Sequence, residues 1–326
     1  MPSDKQKYWI GFDLGGTKML AKVYDSDFTA VGSDRTKTRG NEGAEAGVER
    51  IKQTIRNALK NADVSVKQVA GIGVGCPGPL DLDLGVVLDT PNLGWQNVQL
   101  RKELQAEFGC PTFIVNDVDA GLYGEHRFGA AKGSRTSVGI FPGTGIGGGC
   151  IYEGKILRGR KSSCMEIGHV QVMPEGPRCG CGRRGCLEAV ASRLSIASRA
   201  AMAAYCGQAP NLLKEAGTDL ANIRSGALAA AIEAGDIVVE SIVREAARHI
   251  GRAAANIVNL LAPDVVVLGG GLVEAMTELF VGEVENTARK RVLTSFKDTF
   301  TVVPASLGDD ASVMGAAAWA QQEAKE

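Results

Sequence analysis

The hydrophobic pattern of the N-terminal half alternates between strand-like and helix-like segments. In YWIGFDLGGTKMLAKVYD, residues 8–25, apolar side chains flank the Gly15-Gly16 pair and then alternate with polar ones. This pattern predicts two strands joined by a tight glycine turn. Apolar residues at helical spacing predict a helix over residues 42–61. Buried strands are predicted at VAGIGVGC and CPTFIVND, and further helices at residues 100–108 and 117–127.

A similar order of elements begins again near Ala130. SVGIFPGTGIGGGCIYEGKI again places a glycine turn between two apolar runs, and the chain from Leu187 onward is mostly helical. Pro263 is expected to end a helix because it lacks a backbone N–H. The last helix, in DDASVMGAAAWAQQEAKE, is predicted to be capped by Asp309 or Asp310. The repetition predicts a duplicated α/β unit, with one small domain (1–129 plus 311–326) and one large domain (130–310).

Composition limits the classes of function. The 326 residues are 44% hydrophobic and 22% charged, with a formal net charge of −1, which is typical of a soluble globular protein. A near-neutral chain gives no electrostatic reason to expect binding to nucleic acid or to an anionic membrane. No apolar run approaches the roughly 20 residues of a membrane span, and the N-terminus carries no secretory pattern. We therefore expect a cytoplasmic protein, where disulfides are rare.

Three glycine-rich turns are candidates for binding phosphate. DLGGTK offers backbone N–H groups, a hydroxyl and a lysine, and its aspartate could hold a magnesium-bound water. PGTGIGGG has little side chain to block a ligand, and LGGGL follows a predicted strand. Each of these glycine runs could also serve only to form a tight backbone turn, and for LGGGL this explanation is favoured over phosphate binding. The candidate nucleotide residues are Asp13, Gly15, Gly16, Thr17, Lys18, Gly143, Thr144, Gly145, Gly147, Gly269, Gly270 and Gly271.

The stretch IVND places a carboxylate at the end of a predicted buried strand. Asp117 could act as a general base, with Asn116 orienting the substrate. Asp117 could instead cap the helix that follows. From this stretch alone, the capping role of Asp117 is favoured over the role of general base.

EIGHVQVMPEGPRCGCGRRGC, residues 166–186, has the donors of a metal site. His169, Cys179, Cys181 and Cys186 are the number and kind of ligands found in closed structural zinc sites. A disulfide among these cysteines is not expected, because disulfides are rare in the cytoplasm. Two carboxylates, Glu166 and Glu188, flank the four donors and are candidates for ligand binding rather than plain surface charge. The other five cysteines are predicted to be buried thiols.

These motifs together resemble the ROK family of sugar kinases and repressors over nearly the whole chain. The most specific elements are E-x-G-H and C-G-C-G-x-x-G-C-L-E, and GIGVGCPGPLD and TPNLGW resemble the family's sugar-side loops. The resemblance implies an actin-like, hexokinase-type duplicated α/β fold, with two α/β domains around a cleft that closes over ATP and a sugar. It also implies that Asp117 takes the proton of the sugar 6-hydroxyl. The remaining sugar-binding residues implied are Gly78, Asn92, Asn116, Glu166, His169 and Glu188.

The resemblance favours an ATP-dependent hexose kinase, most simply a glucokinase, that uses Mg²⁺ and carries Zn²⁺. The alternatives are a kinase for fructose or an N-acetylhexosamine, and a sugar-responsive repressor. The repressors carry a DNA-binding segment before the first glycine turn, whereas 12 residues precede Asp13 here. The preferred sugar, and ATP as opposed to polyphosphate as donor, stay open. A homodimer is implied by the resemblance alone.

Overall fold

The chain forms two compact α/β units. The computed structural model describes residues 7–90, 93–160 and 164–325. The first unit contains residues 1–133, 149–164 and 307–326, and the second contains residues 134–148 and 165–306. No helix in the described residues is long and apolar enough to cross a lipid bilayer. No disulfide joins the eight cysteines, all of which lie in the described residues. Cys206 is exposed and Cys164 is only partly buried, so the prediction of a buried thiol is wrong for Cys206 and holds only in part for Cys164.

The predicted strands and helices occur in the predicted order, and the structure adds strands that the sequence did not predict, among them β3, β5–β7 and β13 in the following series. The strands are β1 (Tyr8–Leu14), β2 (Lys18–Tyr24), β3 (Ala30–Lys37), β4 (Val69–Cys76), β5 (Leu80–Asp81), β6 (Val86–Thr90), β7 (Trp95–Val98), β8 (Thr112–Asn116), β9 (Thr136–Pro142), β10 (Ile146–Tyr152), β11 (Lys155–Ile156), β12 (Val265–Leu268) and β13 (Thr301–Pro304). The helices are α1 (Ala44–Asn61), α2 (Leu100–Phe108), α3 (Asp117–Phe128), α4 (Leu187–Ala191), α5 (Arg193–Tyr205), α6 (Pro210–Ala216), α7 (Ser225–Glu233), α8 (Ile237–Leu261), α9 (Gly271–Ala275), α10 (Thr277–Arg289) and α11 (Ala311–Glu323).

The first unit is built on a sheet with strand order β3-β2-β1-β4-β8. Strand β2 is antiparallel to β1, and their register ends with Leu14 opposite Met19, which confirms the predicted hairpin. Strands β1, β4 and β8 are parallel. Because parallel strands end at the same edge of a sheet, the glycine turn after β1 and the start of α3 after β8 lie at one edge.

Glycines allow α11 to pack directly on this sheet. A Cβ atom at Gly11 would lie 1.8 Å from the backbone oxygen of Val313, and one at Gly73 would lie 1.8 Å from that of Ala316. No side chain fits at either distance, so glycine is required by the close approach of helix and strand. This approach brings the first residues of α11 to the end of β1.

A second five-stranded sheet repeats the arrangement with the strand order β11-β10-β9-β12-β13. Strand β12 is parallel to both β9 and β13, so the glycine turns that follow β9 and β12 lie at the same edge. Helix α8 ends at Leu261, and Ala262 adopts a left-handed conformation (φ 44°) before Pro263. This confirms the predicted end of the helix.

Candidate functional site

The first glycine turn connects β1 to β2. The N–H of Gly15 donates to the oxygen of Lys18 over 3.0 Å, and a Cβ at Gly15 would lie only 2.7 Å from that oxygen. A Cβ at Gly16 would meet nothing within 4 Å, and Gly16 is not among the residues with positive φ. The fold thus requires glycine at position 15 but not at position 16, which leaves the backbone of Gly16 open to a ligand.

The two charged residues of this motif, Asp13 and Lys18, contact the start of α11 and the segment just before it. Lys18 Nζ lies 2.7 Å from Asp309 Oδ2, and Arg35 lies 3.3 Å from the same oxygen. The hydroxyl of Ser312 donates to Asp13 Oδ1 over 2.7 Å. Burial raises the pKa of Asp13, although this hydrogen bond opposes the shift.

The two aspartates before α11 do not cap it. Asp310 occupies the N-cap position, but its side chain accepts no capping hydrogen bond. Its carboxylate lies 2.7 Å from Lys22 Nζ, and Asp309 pairs with Lys18. The predicted cap is wrong because lysines on the neighbouring strand compete for both carboxylates.

Asp117 is the first residue of α3, and Asn116 is the cap. The side-chain oxygen of Asn116 accepts from the N–H groups of Val118 (3.0 Å) and Asp119 (3.3 Å). The interpretation of Asp117 as the capping residue is therefore wrong. Asp117 remains partly exposed. Burial, together with the negative charge of Asp13, raises the pKa of Asp117 to about 6.

Of the two remaining predicted sugar residues, Gly78 belongs to the first unit. A Cβ at Gly78 would lie 3.8 Å from the Asn116 side-chain nitrogen, so the turn after β4 runs close to the residue that precedes Asp117. Asn92 lies outside the described residues.

The second glycine turn connects β9 to β10. The N–H of Gly143 donates to the oxygen of Gly145 over 2.8 Å. The N–H of Ile146 donates to Glu188 Oε2 over 3.0 Å, and a Cβ at Gly145 would lie 2.3 Å from that oxygen. The N–H of Arg193 donates to the oxygen of Gly143 over 2.9 Å, and its guanidinium donates to Thr144 Oγ1 over 3.1 Å. The start of α4 and the start of α5 thus hold this turn.

The glycine run after β12 lies against the second turn. Gly270 has φ +89°, and a Cβ there would lie 2.9 Å from the oxygen of Pro142. A Cβ at Gly269 would lie 2.6 Å from the ring of Phe141. The structure therefore brings the second and third glycine motifs together, as expected for motifs that follow neighbouring parallel strands.

The four predicted metal ligands converge. Their ligand atoms all lie within 4.8 Å of one another. Cys181 and Cys186 are 3.7 Å apart between sulfurs, and Cys179 Sγ lies 3.6 Å from His169 Nδ1. Tetrahedral zinc with bonds of about 2.3 Å to sulfur and about 2.0 Å to nitrogen places such atoms about 3.5–3.8 Å apart. Both the donor set and its spacing fit zinc.

Two glycines shape the backbone of this cluster. Gly182 and Gly185 have φ of +88° and +69°, and a Cβ at Gly185 would lie 1.5 Å from the oxygen of Met173. Hydrogen bonds from Arg183 lower the pKa of Cys181 to about 6, whereas burial raises the pKa of Cys186 to about 11. The low pKa of Cys181 favours the thiolate that metals bind.

The predicted sugar residues of the second unit separate into two positions. Glu166 and His169 line an open pocket of about 740 Å³ together with Val170, Gln171, Arg183, Arg184 and Cys186. Glu188 does not line this pocket. Its carboxylate lies between the second glycine turn and the metal cluster, with Oε1 3.8 Å from Cys179 Sγ.

Sequence reasoning missed the contacts that three residues, Asp309, Ser312 and Arg193, make with the glycine motifs. Ser312 and Asp309 contact Asp13 and Lys18 across nearly 300 residues of sequence, and no spacing signal relates positions so far apart. Arg193 follows Glu188 closely, but the apolar, Ala-rich context of α5 concealed its contact with Thr144.

Comparison with known proteins gives a consistent result. The sequence profile of the ROK family matches residues 9–323. The glucokinase of Thermotoga maritima is 34% identical, with 94% of this chain and 95% of that protein covered. Xylose repressors are also similar.

Two crystal structures are similar over their whole length. A ROK hexokinase from Thermus thermophilus is 34% identical with a TM-score of 0.83, covering 98% of this chain and 99% of that one. A ROK family glucokinase from Streptomyces griseus in complex with glucose and AMPPNP is 32% identical with a TM-score of 0.81, covering 97% and 99%. The predicted fold class, an actin-like α/β fold with two domains, is confirmed. The chain belongs to the ROK family.

Proposed function

We propose that this chain is an ATP-dependent hexose kinase that transfers the γ-phosphate of ATP to the 6-hydroxyl of glucose. The observation that carries the proposal is that Asp117 is not the cap of α3 and has a raised pKa. Asn116 satisfies the N–H groups at the start of α3, so Asp117 is not needed as the cap. A partly exposed carboxylate with a pKa of about 6 is ionised at neutral pH yet basic enough to accept a hydroxyl proton.

The reaction assigns a proton to Asp117 and charge stabilisation to the glycine turns. As the sugar oxygen attacks the γ-phosphorus, its proton passes to a carboxylate oxygen of Asp117, and the bond to ADP breaks. Phosphoryl transfer depends mostly on positioning and on neutralising phosphate charge. We assign the phosphates to the backbone N–H groups of the turns at Gly15–Lys18 and Gly143–Gly147, and the adenosine side to the run at Gly269–Gly271.

We assign the sugar hydroxyls to the six residues that the family resemblance implies, which are Gly78, Asn92, Asn116, Glu166, His169 and Glu188. Coordination through Nδ1, the ring nitrogen nearest Cys179, leaves His169 Nε2 for a sugar hydroxyl. The domain bounds predicted from the sequence, residues 1–129 plus 311–326 and residues 130–310, stay a proposal.

The metals have separate roles in this proposal. His169, Cys179, Cys181 and Cys186 would hold zinc, which would supply structure rather than chemistry. Magnesium supplies charge neutralisation at the phosphates. Asp13 is the residue that would hold a magnesium-bound water, since Ser312 engages only its Oδ1. We also propose that the protein is a homodimer active in glycolysis, which rests on the family resemblance alone, and that it is cytoplasmic, as the sequence leads us to expect.

An ADP-release screen with ATP and a panel of hexoses tests this function. We expect the highest kcat/KM with glucose, ahead of mannose, fructose and the N-acetylhexosamines. A preference for another sugar would keep the kinase and change the substrate, and faster turnover with polyphosphate would change the donor. Absence of turnover with every sugar, combined with sugar-dependent binding of operator DNA, would favour the repressor.

A further inference from the structure

Arg193 makes two different hydrogen bonds to the second glycine turn. It is the first residue of α5, after the N-cap Ser192. Its backbone N–H donates to the oxygen of Gly143 over 2.9 Å, a bond that any residue except proline can make. Its guanidinium donates to Thr144 Oγ1 over 3.1 Å. The side-chain contact is therefore additional to what the start of the helix needs.

The charge of Arg193 is not balanced by a carboxylate in the part of the chain that the structure describes. Arg199, on the same helix, pairs with Glu245 at 2.6 Å. Lys18, the cation of the first glycine turn, pairs with Asp309 at 2.7 Å. A guanidinium has five N–H donors, and the bond to Thr144 uses one of them. The second turn consequently has an uncompensated cation beside it, while the cation of the first turn is already compensated.

We propose that Arg193 is a positioning residue for the nucleotide phosphates. It orients the Thr144 hydroxyl and supplies the positive charge of the second glycine turn. Glu188 holds the other end of the same turn by accepting from the N–H of Ile146. This inference rests on the proposed function, since it takes the ligand of the turn to be the phosphates of ATP. A planar, permanently charged guanidinium suits that ligand better than an ammonium group does.

The test compares Arg193→Met and Arg193→Lys with the matched control Arg199→Met. Steady-state kinetics give kcat and the KM values for ATP and glucose, and calorimetry gives the Kd for AMPPNP without sugar. We expect Arg193→Met to raise both the KM for ATP and the Kd for AMPPNP about tenfold or more, with the KM for glucose unchanged. Arg193→Lys keeps the charge and should recover part of the affinity. Arg199→Met should match the wild type.

The outcomes separate this inference from the proposed function. Wild-type values of KM for ATP and Kd for AMPPNP in Arg193→Met would overturn the positioning role, and glucose phosphorylation by the same variant would leave the kinase intact. The positioning role would also be overturned if Arg193→Lys and Arg199→Met lost as much affinity for AMPPNP as Arg193→Met does. A general disturbance of α5 would then be the cause. A wild-type protein that binds AMPPNP but phosphorylates no hexose would refute the function, and the Kd comparison would still decide the role of Arg193.

Discussion

Replacing Asp117 with Asn should slow the enzyme and stabilise the fold at the same time. The amide can still accept the N–H of Val118 that Asp117 Oδ1 accepts at 3.0 Å, but it cannot take a proton. Loss of a general base typically lowers kcat by about 10²–10⁴-fold. Glucose and nucleotide should still bind, because the backbone turns and Asn116 are unchanged.

The gain in stability follows from the pKa of Asp117. The folded protein raises it from an ordinary 3.8 to about 6, and each pKa unit corresponds to about 1.4 kcal/mol. Ionisation of Asp117 in the folded state therefore costs up to about 3 kcal/mol, and about 1–3 kcal/mol once its partial exposure is allowed for. The wild type loses this stability as pH rises from near 4 through 6. The difference between variant and wild type should thus be greatest above pH 6 and about half as large at pH 5.

Two measurements check both parts of this prediction. Coupled kinetics at pH 8 give kcat, and urea denaturation at pH 5 and pH 8 gives the free energies of unfolding. The exposed Asp298 provides a control, and Asp298→Asn should change neither quantity. Near-wild-type turnover in Asp117→Asn would remove Asp117 as the base. A variant that is less stable than the wild type at pH 8 would show that burial does not penalise the charge of Asp117.

Three further predictions concern pH, the first glycine turn and the metal cluster. The acid limb of kcat/KM should fall about tenfold per pH unit below an apparent pKa of about 6, and a limb near 4 would exclude Asp117 as its origin. Gly16→Ala should leave the melting temperature almost unchanged and raise the KM for ATP. Gly73→Ala should instead destabilise the fold by at least about 2 kcal/mol. Equal melting temperatures in the two variants would contradict this contrast. Metal analysis should find about one zinc per chain in the wild type and in Cys206→Ser but much less in Cys181→Ser, and a zinc-free wild type would end the zinc assignment.

Features with a local cause were predictable from the sequence. The hairpin of β1 and β2, the end of α8 before Pro263 and the metal-ligand set each depend on residues close together in the chain. Four zinc-type donors between His169 and Cys186 needed only sharp turns to meet, and Gly182 and Gly185 supply them.

Features that depend on tertiary contacts were not predictable. Asn116 and Asp117 are both good capping residues, and a shift of one residue in the start of α3 decides between them. The roles of Asp309 and Asp310 depend on lysines of β2 that lie 291 and 288 residues away. The contact of Arg193 with Thr144 likewise follows from the packing of α5 against a turn 49 residues earlier.

The most direct test of the central claim is to identify the product. Purified protein is mixed with ATP, Mg²⁺ and glucose, and glucose 6-phosphate is detected by NADP⁺ reduction with glucose-6-phosphate dehydrogenase, with ADP measured in parallel. We predict one glucose 6-phosphate per ADP in the wild type and a rate at least about 100-fold lower in Asp117→Asn. ADP release without glucose 6-phosphate, or the same rate in both proteins, would contradict the assignment of this chain as a glucose kinase that uses Asp117 as its base.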